Sequence, residues 1–187
     1  MISATVSSLM TINLDLRRDT RLNAKDFILQ KKIQPSDIIS AINYLPQKPR
    51  LALLATFDLL IEDHPEFLQH DVTLFLIFCK KQTHETAKRC VTRMMYHLLK
   101  KIREHFSLQD INTIIELNFD WLISNSLVAT RVNCISNLFL LRNENDWLLP
   151  ELQGIIEQQI PESTISLKSR GEKILQKIQR EKNKKSR

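Results

Sequence analysis

The sequence predicts an all-α chain built from repeated helix pairs, on three observations. Apolar residues recur at helical spacing almost throughout, glycine is nearly absent, and a pattern of one arginine and an adjacent leucine pair returns about every 40 residues. With only two glycines, Gly154 and Gly171, in 187 residues, the chain lacks the tight turns and phosphate-cradling loops of most other fold families. Short polar connections between helices fit that composition.

The helical stripes can be read in order. Ile38, Ile39, Ile42 and Leu45 form one; Cys90, Val91, Met94, Met95, Leu98, Leu99 and Ile102 form a second. Ile111, Ile114, Ile115, Phe119 and Leu122 form a third, and Leu148, Leu149, Leu152, Ile155 and Ile156 continue the theme. Capping side chains precede them: Ser36 with Asp37, Thr83 followed by Glu85, and Ser107 three residues before Asp110. Pro46, Pro49, Pro65 and Pro161 punctuate the stripes. Val72 to Phe78 is rich in β-branched and aromatic residues, yet its neighbours and the repeat register make it a buried helix.

Arg50, Arg89, Arg131 and Arg170 stand at one repeat position, 39, 42 and 39 residues apart. In the first three copies the leucine pair follows as Leu59-Leu60, Leu98-Leu99 and Leu140-Leu141. A second helix completes each unit, over about 66–79, 108–124 and 146–159. The fourth copy keeps Ile174, Leu175 and Ile178 but places Gln179 and Arg180 at the pair, the polar ending of a helix with nothing stacked beyond it. In period and pattern the chain resembles the HEAT and armadillo α-solenoids from Arg50 to Arg180. The Asp and Arg pair of strict HEAT units and the armadillo junction glycine are not clearly repeated. The resemblance implies a right-handed αα-superhelix, a short HEAT-like solenoid of about three helix pairs with an N-terminal cap pair (about 24–32 and 36–45) and a C-terminal capping helix. The expected organisation is a flexible segment over 1–22, one repeat domain over 23–179 and a basic tail over 180–187.

The resemblance also implies that first helices form a convex face and second helices line a concave groove. Asp71, Asp110, Glu116, Asp120 and Glu151 on the second helices then make the groove mildly acidic, suited to a basic segment of another protein. Lys88, Arg89, Arg93, Lys100 and Lys101 cluster on one first helix as a candidate anion patch, though a wet amphipathic face reads the same way. The repeated arginines suit either an anion ladder or a carbonyl or ion-pair contact that fixes stacking; the second fits a repeat-building residue better. Trp121 and Trp147, each in Asp-Trp-Leu, read as core or inter-helix packing residues.

The net charge of +6 is unevenly placed. Residues 168–187 hold nine lysines and arginines against Glu172 and Glu181, which leaves the rest of the chain near −1. Nucleic acid is therefore the alternative partner, held by the tail and the basic helix patch. HEAT-like DNA alkylation-repair glycosylases need a basic, aromatic-lined cleft, which an acidic groove opposes.

Cys79, Cys90 and Cys134 lie on apolar segments with no CxxC pattern, as buried thiols of a reducing, cytoplasmic compartment do. No apolar run approaches the roughly 20 residues of a membrane span, and the N-terminal stretch lacks the basic start and apolar middle of a secretory signal. Cys79, His84 and Cys90 match no metal-ligand spacing, and Glu62-Asp63 reads as a helix-end pair. No nucleophile is spaced with a base and an orienting group. The expectation is a non-enzymatic interaction module without cofactor.

Overall fold

The structure, a computed structural model, describes residues 4–159 and 163–185, with side chains to 183. Pro161, Arg187 and the side chains of Lys184 and Lys185, named above, lie outside these. Among the described residues ten α-helices follow one another: α1 (Ala4–Thr11), α2 (Arg18–Gln30), α3 (Pro35–Tyr44), α4 (Gln47–Asp63), α5 (Val72–Lys80), α6 (Glu85–Lys101), α7 (Leu108–Ile123), α8 (Val128–Leu140), α9 (Leu148–Gln159) and α10 (Ile165–Lys185). Two 3-10 turns, Pro65–Leu68 and Arg103–His105, join α4 to α5 and α6 to α7, and no strand occurs among the described residues. No helix of the described residues is long and apolar enough to cross a membrane. The chain forms two compact units, residues 1–110 and 111–187, divided in the first turn of α7.

In the first unit alternate helices are neighbours. The helices α1, α3 and α5 pack in succession, as do α2, α4 and α6, and α3 lies against α4. The helix α4 is buried on almost every side: Ala52 to Phe57, Asp58, Leu60 and Ile61 are all buried, and all but Thr56 and Asp58 are apolar. Phe57, Phe75, Leu53 and Leu60 are fully enclosed, and each such side chain contributes about 2 kcal/mol relative to exposure. Polar ties join the helices at their flanks. Lys25 of α2 pairs with Asp63 at 2.6 Å, and Arg93 of α6 donates to both oxygens of Asp58 at 2.9 Å while also reaching Glu62 at 3.3 Å. The Glu62-Asp63 pair thus links α4 to two neighbours. A carboxylate at a helix C-terminus opposes the helix dipole, and these cations offset that cost.

Helix ends are closed with little help from glycine. Ser107 and Asp110 form a reciprocal box: the Asp110 amide donates to Ser107 Oγ at 3.1 Å, and the Ser107 amide donates to Asp110 Oδ2 at 3.1 Å. The other expected caps shift. The helix α3 begins at Pro35, whose fixed φ suits a first turn, and Ser36 falls inside it. At α6 the cap is His84, whose Nδ1 accepts from the Thr86 amide, and not Thr83. After α2 the chain turns back through Lys32 at φ 50°, with Lys32 N donating to Leu29 O and Ile33 N to Ile28 O. This is a Schellman ending in which lysine takes the left-handed position usually given to glycine, while Ile28 and Ile33 are buried.

Helices reach into both expected end segments. The helix α1 and the start of α2 occupy the segment expected to be flexible, because Val6 and Leu9 bury an apolar edge against α3. The helix α10 runs through the expected tail to Lys185, supported by Leu167, Ile174 and Ile178 on its buried side.

In the second unit α8 and α10 are neighbours, and α9 packs on both. Arg142 joins Glu181 through two bonds of 3.1 and 3.0 Å. Asn137 of α8 donates to Asn118 of α7 at 3.0 Å in a fully buried position, and Asn118 donates in turn to the Ile114 carbonyl at 2.8 Å. Phe139 is buried under Lys177, and in the first unit Phe75 and Phe78 are buried while Phe67 sets its edge against Phe57, so these four rings pack internally.

Candidate functional site

A groove of about 760 Å³ lies in the second unit. Its walls come from α7 and α9. Helical spacing on α7 brings Asn112, Glu116, Phe119, Asp120 and Ile123 to one side, and α9 presents Glu151 and Ile155. Asn145 and Trp147, in the connection before α9, complete the lining.

Three of the expected groove residues, Glu116, Asp120 and Glu151, therefore come together. None has a cationic partner among the described residues, and none of the lining residues is lysine or arginine. Several carboxylates elsewhere are matched: Asp15 with Arg17, Asp58 with Arg93, Asp63 with Lys25, Glu85 with Lys88, Glu181 with Arg142. The groove gathers three carboxylates without such a partner beside apolar side chains.

The other two expected residues are placed differently. Asp110 is buried and consumed by Ser107 and by the hydroxyl of Thr73, which donates to it at 3.0 Å. Asp71 is half-buried at the head of α5, where its carbonyl receives the Phe75 amide. Both belong to the first unit.

Trp147 is not a packing residue of the interior. It is 52% exposed, with its ring 5.8 Å from that of Phe119 at an interplanar angle of 33°, whereas Trp121 is 7% exposed. The difference follows from position: Trp121 points inward from the middle of α7's last turns, while Trp147 immediately precedes α9 and leans on the groove wall.

Two of the five residues of the basic helix patch on α6 are paired with carboxylates. Lys88 binds Glu85 at 2.9 Å, and Arg93 is held by Asp58 and Glu62. Lys101 faces Glu62, Asp63 and Glu66 across a separate cleft, and Lys100 lies 5.2 Å from the Tyr96 ring. Arg89 is exposed. Burial pushes the Asp58 carboxyl up to about 6, against the lowering influence of Arg93, and the neighbouring Cys90 thiol is pushed up to about 12 by burial and then by Asp58. Burial raises the Cys79 thiol as well, so neither is a nucleophile at neutral pH. Among the described residues no three His, Cys, Asp or Glu side chains are arranged to hold a metal ion.

Two of the repeated arginines have matching roles. Arg50 of α4 donates from Nε to the Leu45 carbonyl just past α3, at 3.0 Å. Arg131 of α8 donates from Nε to the Leu122 carbonyl in the last turn of α7, at 3.2 Å, and from its guanidinium to Gln159 at 2.7 Å. Each closes unfilled carbonyls at the end of the preceding helix. Arg170 is exposed on α10. Compared with protein-family models, curated proteins and solved structures, the chain matches none.

Proposed function

We propose that the protein is a non-enzymatic, cytoplasmic interaction module, a short right-handed HEAT-like superhelix whose groove between α7 and α9 receives a segment of another protein. The observation that carries this reading is the groove itself: about 760 Å³, with Glu116, Asp120 and Glu151 uncompensated beside the exposed Trp147. Aromatic residues with an apolar body and a polar edge are favoured anchors at protein interfaces, and unmatched carboxylates select against acidic partners. Three features support the helical-repeat part. Alternate helices pack within each unit, Arg50 and Arg131 repeat one contact, and both groove helices are second helices of the sequence register. Three buried thiols accord with a reducing compartment.

Selection of peptides from a random display library against the full-length protein tests the reading. Selected peptides should bind with a blue shift of Trp147 fluorescence and lose at least tenfold in affinity to Trp147→Ala and to the Glu116→Lys, Glu151→Lys double variant. Peptides that bind both variants unchanged, or a selection that yields no binder, would overturn it.

A further inference from the structure

A second feature, independent of the groove, lies on α10. Arg170, Lys173, Lys177 and Arg180 are spaced by three, four and three residues, which at 100° per residue places them within a sector of about 80° on one helix face. All four are exposed, and none has a carboxylate partner among the described residues. Lys177 lies 5.6 Å above the Phe139 ring, which holds its ammonium group without neutralising it. The acidic residues of the helix are out of the way: Glu181 is bound by Arg142, and Glu172 projects about 120° from the centre of the stripe.

The chemistry of the stripe narrows its partner. Its four positions contain no apolar side chain, whereas a protein interface has an apolar core depleted in charge. Membrane surface binding by a helix needs an exposed apolar face, whereas on α10 Leu167, Ile174 and Ile178 are buried and the one large apolar side chain that is exposed among the described residues, Ile165, stands at the helix start, which makes no face. A regular row of cations without apolar anchors suits a regular row of anions. From Arg170 to Arg180 the helix rises about 15 Å, a length of duplex axis along which each strand carries four to five phosphates at a rise of about 3.4 Å each. We infer that the α10 stripe, and neither the chain terminus nor the α6 patch, is a binding surface for the phosphate backbone of nucleic acid.

Fluorescence-anisotropy titration of the full chain with a 12-nucleotide single strand and with its duplex, across 50 to 200 mM salt, tests this. Four phosphate contacts predict a log–log salt slope near −2.8 for the single strand and −3.6 for the duplex, or losses of about 50-fold and 150-fold across that range. The variant Arg170→Gln, Lys173→Gln, Lys177→Gln, Arg180→Gln should abolish the slope while circular dichroism stays unchanged. A control variant, Lys31→Gln, Lys48→Gln, Lys80→Gln, Lys81→Gln, removes equal charge from exposed sites elsewhere and should keep the slope within about one unit, as should Lys184→Gln, Lys185→Gln, Arg187→Gln. Equal loss in the control, loss confined to the terminal variant, or equally tight binding to polyglutamate or to phosphatidylserine vesicles would overturn the inference. Failure here leaves the groove reading intact, since peptide selection reports on different residues.

Discussion

Asp58 and Arg93 form an ion pair in which Arg93 Nε donates to both carboxylate oxygens at 2.9 Å, with the carboxylate buried on α4 and the guanidinium half-exposed on α6. The arrangement is asymmetric. One partner has left water almost completely and the other has not, so each responds differently to loss of its mate.

Replacing Arg93 with alanine strands a buried carboxylate. The expected destabilisation is about 2 kcal/mol at pH 7, below the 3 to 5 kcal/mol of a fully buried pair because Asp58 can take up a proton. Urea denaturation of Arg93→Ala should show this loss shrinking as the pH falls to 5. An equal loss at both pH values would show that Asp58 is not the group left stranded.

Asp58 itself predicts an inverted pH dependence. Its folded value near 6 exceeds its ordinary value of 3.8, so between these the folded state binds more protons than the unfolded chain. The stabilising contribution is complete below about 4 and is lost as the pH rises through 6. Relative to Asp58→Asn, which cancels the other titrating groups, the wild type should lose on the order of 2 to 3 kcal/mol between pH 4 and pH 7. A flat or opposite difference in urea midpoints would refute this.

The three cysteines should be silent in the folded state. Cys79, Cys90 and Cys134 are buried, and burial raises the first two thiols far from thiolate formation at pH 7. A disulfide-exchange reagent should label none of them within minutes, and all three after addition of denaturant. Rapid labelling of one thiol without denaturant would reveal local opening around it.

The repeated arginines should separate by role. Arg131→Ala removes two hydrogen bonds and should cost about 1.5 kcal/mol, Arg50→Ala about 0.5 to 1 kcal/mol because that side chain is more exposed, and Arg170→Ala less than 0.5 kcal/mol. Chemical denaturation of the three variants ranks them. Equal costs would mean that the shared spacing carries no shared contact.

Lys32 offers a change in the other direction. A β-carbon at φ 50° costs about 1 kcal/mol, so Lys32→Gly should raise the thermal midpoint by a few degrees. A lowered midpoint would mean that the gain in chain entropy on unfolding outweighs the relief.

The sequence made some of this legible and hid the rest for physical reasons. Helical content, the Ser107 and Asp110 box and the arginine register are local patterns, carried by neighbours in the chain or by simple repetition. The groove was half legible: Glu116, Asp120 and Glu151 share helical faces, while Asp110 has the same charge but is drawn inward by Ser107 and Thr73. Trp147 was legible only in part: its ring packs against Phe119 of α7 as an inter-helix contact would, but its exposure was hidden, because an aromatic ring beside a helix start looks the same in sequence whether it faces core or solvent. The Asp58 and Arg93 pair left no signal, since the two lie 35 positions apart and only packing decides which helix faces meet. The buried Asn118 and Asn137 pair was equally hidden; two polar residues on apolar stripes are its only trace.

The shortage of glycine reaches beyond the helix ends. An average chain of this length would hold about 13 glycines, and this one holds two. Each residue with a β-carbon in place of glycine narrows the range of shapes open to the denatured chain, which favours folding by about 0.4 to 1 kcal/mol where the native backbone tolerates it. Lys32 marks one joint where that tolerance is exceeded. Part of what holds this molecule folded is therefore written in no contact at all: it lies in the shapes that the denatured chain is denied.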